Sequence, residues 1–394
     1  MTARAYLDHN ATTPLRAVAR AAMLRAFDQP GNASSAHAEG RAVRALLEDA
    51  RAQVAGALGG PAAGVVLTSG GTEALNLVLT PTLEIGGRGF DVLLTGAGEH
   101  PAVLAGHRFA PERAKTVALM PSGALDLDAL AAALAGLQGA RPLLALQAAN
   151  NETGAVQPVA AAAALVHQAG GALVCDAVQG AGKIPVSFAG LEADALVVSG
   201  HKFGGPVGAA ALCFREEASH IGDVMIRGGG QERGARAGTQ NVAAVCGMAA
   251  ALAEAEGARE EESIRLAALR DGLEAEILRR DPQAAIFGRE AARLPNTLAF
   301  ALPGMEAQLL LIRLDVEGVA VSAGSACAAG KTKPSHVLAA MGVSPELAGG
   351  ALRVSLGWSS TQADCARFLS ALDDAAAALR ARASRQASKQ ASAC

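Results

Sequence analysis

Aromatic residues are scarce in this chain: they make up 3% of 394 residues, with one tryptophan and one tyrosine. Its interior must therefore be packed from Ala, Leu and Val. With 51% of residues apolar, a chain of this length can still build two domains around a sizeable core. Net charge is also nearly absent, at −3, which removes the electrostatic case for binding nucleic acid or an anionic membrane surface. No long uniform apolar run exists. The longest uncharged stretch, between Glu152 and Asp176, is interrupted by Gln157, Pro158, His167 and the Gly170-Gly171 pair, and predicts a helix followed by a strand, not a membrane span. Met1 to Thr13 lacks the apolar core behind a basic start that marks a secretory leader. The six cysteines (Cys175, Cys213, Cys246, Cys327, Cys365 and Cys394) include no C-x-x-C pair, and no metal site is predicted. Reduced thiols in a soluble, cytoplasmic protein acting on a small molecule or another protein are the expectation.

Glycine and alanine are abundant instead. The 45 glycines imply many turns and close backbone approaches, and the Ala-rich stretches favour helix. From about residue 65 to 214, short apolar runs alternate with helical segments. Gly64–Thr68, Asp91–Thr95, Pro142–Gln147, Ala172–Cys175, Ala195–Val198 and Gly208–Phe214 read as buried strands; Leu127–Leu137 and Pro158–Gln168 read as helices. That order predicts an α/β domain with a mostly parallel sheet, whose ligands sit beyond the carboxyl ends of the strands.

Residues 241–280 read as helix broken near Gly257, with Glu261 and Arg265 spaced for an ion pair. They lead toward a smaller α+β domain with strands at Asn296–Ala301, Val319–Ser322 and Ala351–Leu356. A last helix is expected from a Ser360 or Thr361 cap to about Arg382. The predicted division is 16–255 for the large domain, 1–15 and 256–382 for the small one, and 383–394 as a frayed polar tail.

Polar clusters fall where that sheet predicts a ligand. Ser69-Gly70-Gly71-Thr72-Glu73 follows a strand and opens a helix, which suits a phosphate through exposed N–H groups and the Thr72 hydroxyl; an ordinary strand-to-helix turn has the same composition. Asp176 closes a strand and can either cap a helix or hold a pyridinium nitrogen protonated. Lys202, in Ser199-Gly200-His201-Lys202, ends the next strand, where a desolvated amine can form a Schiff base. Asp176 and Lys202 together are more specific than either, since one cofactor needs both. His100 can stack on a cofactor ring or be structural. Arg353, inside a strand, calls for an anion, either a substrate carboxylate or a structural partner. Cys327 differs from Cys175 and Cys213, which sit among Leu and Val. It lies among small residues, Ser322 to Gly330, beside Lys331, where a thiolate nucleophile is expected.

These motifs, together with Tyr6-Leu7-Asp8-His9-Asn10-Ala11-Thr12-Thr13-Pro14, Ser35-Ala36-His37, Glu99-His100, Asn150-Asn151-Glu152-Thr153-Gly154, Asp176-Ala177-Val178-Gln179, Gly228–Glu232, Arg236–Thr239 and Arg353–Gly357, resemble the cysteine desulfurases of the pyridoxal-phosphate aspartate-aminotransferase fold, from about Tyr6 to Leu379. The resemblance implies a homodimer with Lys202 carrying pyridoxal 5'-phosphate, His100 stacked on the ring, Asp176 at the pyridine nitrogen and Gln179 at the phenolic oxygen. It implies a phosphate held by Thr72, Ser199, His201 and, from the neighbouring subunit, Thr239, with Gly71 among the cofactor-binding residues. Asn151 would lie beside cofactor and substrate, and Arg353 would take the carboxylate of L-cysteine. Cys327 would receive the sulfur as a persulfide and pass it to an acceptor protein, such as an iron–sulfur scaffold or a thiolation carrier; the length of the Cys327–Leu338 segment resembles the long-loop branch. The chain departs from the pattern at Asn32-Ala33, where many relatives have Asn-Pro, and at Val207, where a lysine is frequent. A selenocysteine lyase or an aminotransferase of the same fold is the competing reading, and a non-catalytic scaffold is disfavoured because Lys202 and Cys327 are both present.

Overall fold

The computed structural model of the chain describes residues 4–323 and 335–391, the last ten as helical backbone. Its centre is a seven-stranded sheet. In spatial order the strands are Val65–Thr68, Ala210–Phe214, Ala195–Ser199, Ala172–Asp176, Pro142–Gln147, Val92–Gly96 and Ala114–Val117. The five from Ala195–Ser199 to Ala114–Val117 pair in parallel, and Ala210–Phe214 runs antiparallel to both of its neighbours. Continuous apolar runs form these strands because both faces are covered. Every residue of Pro142–Gln147 and Ala172–Asp176 is buried.

One face packs on helices 38–58, 159–168 and 242–257, through residues such as Leu47, Val54, Val166 and Leu252. The other packs on helix 71–78, with Leu75, Leu77 and Val78 beside Leu143, Val174 and Val197. Side chains cap the starts of two helices, 127–135 and 242–257. Asp126 Oδ1 accepts from the Ala129 N–H at 2.9 Å, and Asn241 Oδ1 from the Ala244 N–H at 3.1 Å.

A second, antiparallel sheet follows the order Ala285–Phe287, Thr297–Ala301, Ala351–Ser355, Ser322–Ala323. It has its own core, in which Phe300 meets Phe368 edge-on at 6.3 Å. The N-terminal segment belongs with it: Ala5–Tyr6 pairs in parallel with Val319–Ala320, and Asp8 bridges to Ser355. The following residues, Asn10 to Thr13, cross to the seven-stranded sheet, where the Thr13 N–H donates to the His201 carbonyl at 2.8 Å. No helix of the described residues is long and apolar enough to cross a membrane.

Three details differ from the sequence expectation. The strand Ala114–Val117 was not foreseen; it is an edge strand whose Lys115 and Thr116 face solvent, so it lacks an apolar run. The expected break near Gly257 is present, with Val242–Gly257 and Arg259–Arg280 meeting at Ala258. Arg265 does not pair with Glu261; it donates to the carbonyls of Ser360, Gly357 and Trp358, which tie that helix to the start of the last one. That last helix spans Gln362–Ala391, beyond the expected end, since residues 383–391 contain no Gly or Pro to stop it. Its N-terminus is closed by Thr361 and Asp364, whose side chains each accept from the other's backbone N–H, at 3.3 and 2.9 Å.

Candidate active site

The carboxyl ends of four central strands open on one cavity of about 300 Å³. Ten of the twelve site residues expected from sequence line it: Gly71, Thr72, His100, Asn151, Asp176, Gln179, Ser199, His201, Lys202 and Arg353. Asn10, Ala11, Leu75, Gln147, Ala149 and Val178 complete the wall. Thr239 does not join them; it is exposed on a loop of its own chain, outside this cavity. Cys327 lies outside the described residues, as do Lys331 and Cys394.

Each side chain is placed by its strand end. Gly71 begins helix 71–78 under the cavity, where a Cβ would stand 3.1 Å from Val178 Cγ2 and 3.6 Å from Ser199 Cβ, so a bare backbone is favoured there. Asn151 sits in a turn held by Asn150, whose Oδ1 accepts from the N–H groups of Glu152 and Thr153, both at 2.9 Å. Gly154 closes that turn at φ +77°, and a Cβ there would come within 2.8 Å of Thr297 Cβ.

Asp176 is buried at the end of its strand, and its Oδ1 accepts from the Val178 N–H at 3.0 Å. Burial pushes its carboxyl up to about 6, against the pull of that N–H and of Lys202. Lys202 Nζ donates to the carbonyls of Asn10 at 2.6 Å and Ala11 at 2.9 Å. His100 caps the short helix Pro101–Leu104: its Nδ1 accepts from the Ala102 N–H at 3.1 Å, so a neutral ring carries its proton on Nε2. Burial, Lys202 and His336 all hold His100 below the usual histidine range. His201 is depressed to about 4, chiefly by burial and then by Lys202 and Lys183, and its Nδ1 lies 3.0 Å from Thr12 Oγ1.

Arg353, the expected holder of a carboxylate, already has one. Its Nη2 donates to Asp8 Oδ1 at 2.7 Å and its Nη1 to the Asn151 carbonyl at 3.0 Å. This is the structural partner that the sequence left open, yet the guanidinium also faces the cavity, and its buried Nε has no protein partner. Glu99, directly before His100, is fully buried; burial pushes its carboxyl well up, and Oε2 has no partner.

The described residues flanking the Cys327 segment contact neighbours of the cavity-lining residues. Ser322 Oγ donates to Asp8 Oδ2 at 3.0 Å, and the residue pairs with Arg353 across the strands. On the far side, Ser335 Oγ donates to the Glu152 carboxylate, and His336 Nε2 lies 2.9 Å from the Glu99 carbonyl. None of the described cysteines reaches the cavity. Cys175, Cys213 and Cys365 are buried, and burial raises their thiols, to about 12 for Cys213 and about 11 for Cys365. Cys246 is half-buried and also raised by burial.

The sequence motif Tyr6–Pro14 contains Asn10 without marking a role for it, and nothing in the sequence singles out Gln147. Asn10 is more than 140 residues from Asn151, Gln179 and Lys202, the cavity residues it bonds, and only its unusual density of polar neighbours, Asp8 to Thr13, signalled it.

The family model for class-V aminotransferases matches residues 5–368. A cysteine desulfurase of Gluconacetobacter diazotrophicus is 41% identical over 381 residues, which cover 95% of this chain and 94% of that protein. The structure of a NifS-like protein from Rickettsia africae superimposes with a TM-score of 0.85 at 34% identity, covering 94% of this chain and 99% of the other. SspA, solved in complex with cysteine, superimposes with a TM-score of 0.74 at 25% identity, over 90% and 99% of the two chains.

Proposed function

This chain belongs to the class-V aminotransferase family as a cysteine desulfurase, and from that premise we propose that it uses pyridoxal 5'-phosphate to convert L-cysteine to L-alanine, leaving the sulfur as a persulfide on Cys327. The observation that carries the reading is a single cavity faced by Lys202, Asp176 and Arg353. An amine for covalent attachment, an acid for a ring nitrogen and a guanidinium for a carboxylate are what an amino acid and this coenzyme together require.

The residues fit the coenzyme. Asp176 is buried without a cationic hydrogen-bond partner on its Oδ1, whose neighbour is a backbone N–H. A pyridinium N–H would supply one and restore the carboxylate. Gly71, Thr72, Ser199 and His201 would hold the phosphate, with Thr239 of the neighbouring subunit; its exposure away from its own cavity supports that sharing across a homodimer. When bound, the coenzyme supplies an electron sink for the bond-breaking at the substrate.

The chain's own groups do the rest. Lys202 holds the coenzyme and gives way to the substrate amine, with the Asn10 and Ala11 carbonyls receiving its hydrogen bonds. Asp176 holds the ring-nitrogen proton. Neutral His100, with its proton on Nε2, covers the ring and can pass a proton. Arg353 and Asn151 orient the substrate. The Cys327 thiolate attacks the substrate sulfur: the Sγ–S bond forms, the substrate Cβ–S bond breaks, and the carbon skeleton leaves protonated as alanine. The flanks of its segment contact Asp8, the partner of Arg353, and Glu99, the neighbour of His100, which supports its reach toward the cavity. The persulfide then passes to an acceptor protein of iron–sulfur assembly or thiolation.

The test is to incubate coenzyme-loaded protein with L-cysteine and a reductant. Equal amounts of sulfide and alanine are expected. Sulfide with pyruvate and ammonia in place of alanine would support another lyase, and the mercapto-2-oxo acid without sulfide would support an aminotransferase.

A further inference from the structure

Lysine is among the residues least often found inside a protein, because its ammonium loses hydration there. Lys183 is nevertheless only 8% exposed. It follows Gln179 by four residues, in turns closed by the Ala181 N–H on the Ala177 carbonyl and the Lys183 N–H on the Gly180 carbonyl. Burial lowers its amine well below the usual lysine range, and the charges that act on it next are two cations, Lys202 and Arg353. The mechanism above does not use it.

Its two hydrogen bonds are specific. Lys183 Nζ donates to Gln179 Oε1 at 2.7 Å and to Asn10 Oδ1 at 3.2 Å. Both acceptors are cavity residues that contact the site further on. Gln179 Nε2 donates to the Asn10 carbonyl at 2.9 Å, the same oxygen that receives Lys202 Nζ at 2.6 Å. The Asn10 side chain is held from the second sheet as well, accepting from Asn296 Nδ2 at 3.1 Å and donating to Thr297 Oγ1 at 2.8 Å. A primary amide can turn over and exchange its oxygen for its nitrogen. A donor facing one end removes that freedom, since only the oxygen can meet it.

We propose that Lys183 is a positioning residue: by donating to Gln179 Oε1 and Asn10 Oδ1 it fixes the Gln179 amide with its nitrogen on the Asn10 carbonyl and holds that carbonyl, which also carries the Lys202 amine. Either protonation state of the amine keeps the two donors this requires. The inference rests on the coenzyme reading of the cavity, because Gln179 would act on the bound ring.

The experiment compares Lys183→Met, Gln179→Leu and the double variant, each loaded with pyridoxal 5'-phosphate. Lys183→Met keeps the length and removes the donors, and burying an apolar chain in place of an amine is tolerated in many interiors. Three quantities are read: the visible absorbance maximum of the bound coenzyme, its dissociation constant, and kcat/KM for L-cysteine. Lys183→Met is expected to displace the absorbance maximum in the same direction as Gln179→Leu and to lower kcat/KM by on the order of 10- to 100-fold. In the Gln179→Leu background it is expected to add little, since both changes break one arrangement. An unshifted spectrum with losses that multiply in the double variant would overturn the proposal and leave Lys183 a purely structural residue. Should Lys183→Met not fold, Lys183→Gln is read in its place. Its shorter side chain cannot span both acceptors, so the same spectral displacement is expected and a parental spectrum overturns the proposal. Failure of the parent protein to bind the coenzyme at all would instead remove the functional reading first.

Discussion

Arg353 and Asp8 form an ion pair at 2.7 Å in which the arginine side chain is 2% exposed and the aspartate 18%. Asp8 also receives the Ser322 hydroxyl, and Arg353 also binds the Asn151 carbonyl, so the pair joins the N-terminal segment, the second sheet and the cavity wall. Removing one member leaves the other charge buried. Asp8→Ala is expected to destabilise the protein by about 3 kcal/mol in urea unfolding. Arg353→Lys keeps the charge but loses the planar pair of donors, and should raise KM for L-cysteine roughly 10- to 100-fold, the cost of one or two hydrogen bonds to a charged group. An unchanged KM would remove Arg353 from substrate binding.

Asp176 predicts an unusual pH dependence of the coenzyme-free protein. Burial lifts its carboxyl from the ordinary 3.8 to about 6. Between these values the folded chain keeps a proton that the unfolded chain has lost. The corresponding stability is complete below about pH 4 and is lost as pH rises through 6. Asp176→Asn should therefore be more stable than the parent at pH 7, by up to about 3 kcal/mol, and nearly equal to it at pH 4. With the coenzyme added, the order should reverse, because the asparagine cannot hold a ring-nitrogen proton. Calorimetry of both proteins, with and without pyridoxal 5'-phosphate, checks both signs.

Two histidines act in the opposite sense. Burial, ahead of neighbouring cations, lowers His9 to about 3 and His201 to about 4. The unfolded chain takes up these protons near pH 6.5 while the folded chain refuses them. Their contribution is present above pH 6.5 and is lost as pH falls through 4 and then 3. Acid unfolding should thus begin well above the carboxylate range, and His201→Asn should shift its midpoint to lower pH. Trp358, the single tryptophan, donates its indole N–H to the Pro14 carbonyl at 3.0 Å and offers a fluorescence readout. Identical acid midpoints for parent and variant would contradict the assignment.

The strands at the centre of the fold were legible because burial on both faces demands unbroken apolar runs, as in Pro142–Gln147. The same rule hid Ala114–Val117, whose edge position tolerates Lys115 and Thr116. Strand ends announced Asp176 and Lys202, since polar groups there border the ligand side of a parallel sheet. Lys183 was not legible. Nothing in Gly182-Lys183-Ile184 distinguishes a buried lysine from a surface one, and its partners lie at Gln179 and Asn10, the latter far away in sequence. Arg265 failed for a related reason: helical spacing offered Glu261, while tertiary packing offered three carbonyls near residue 360.

The central claim is that sulfur from L-cysteine arrives on Cys327. Peptide mass mapping after addition of L-cysteine without reductant tests it most directly, with Cys327→Ala and Lys202→Ala as the comparison. In the parent, the peptide containing Cys327 should gain one sulfur atom. Cys327→Ala should keep the visible absorbance of the lysine-bound coenzyme, carry no added sulfur and release no sulfide, while Lys202→Ala should lose that absorbance. Sulfide release by Cys327→Ala at the parental rate, or sulfur found on another cysteine, would contradict the account.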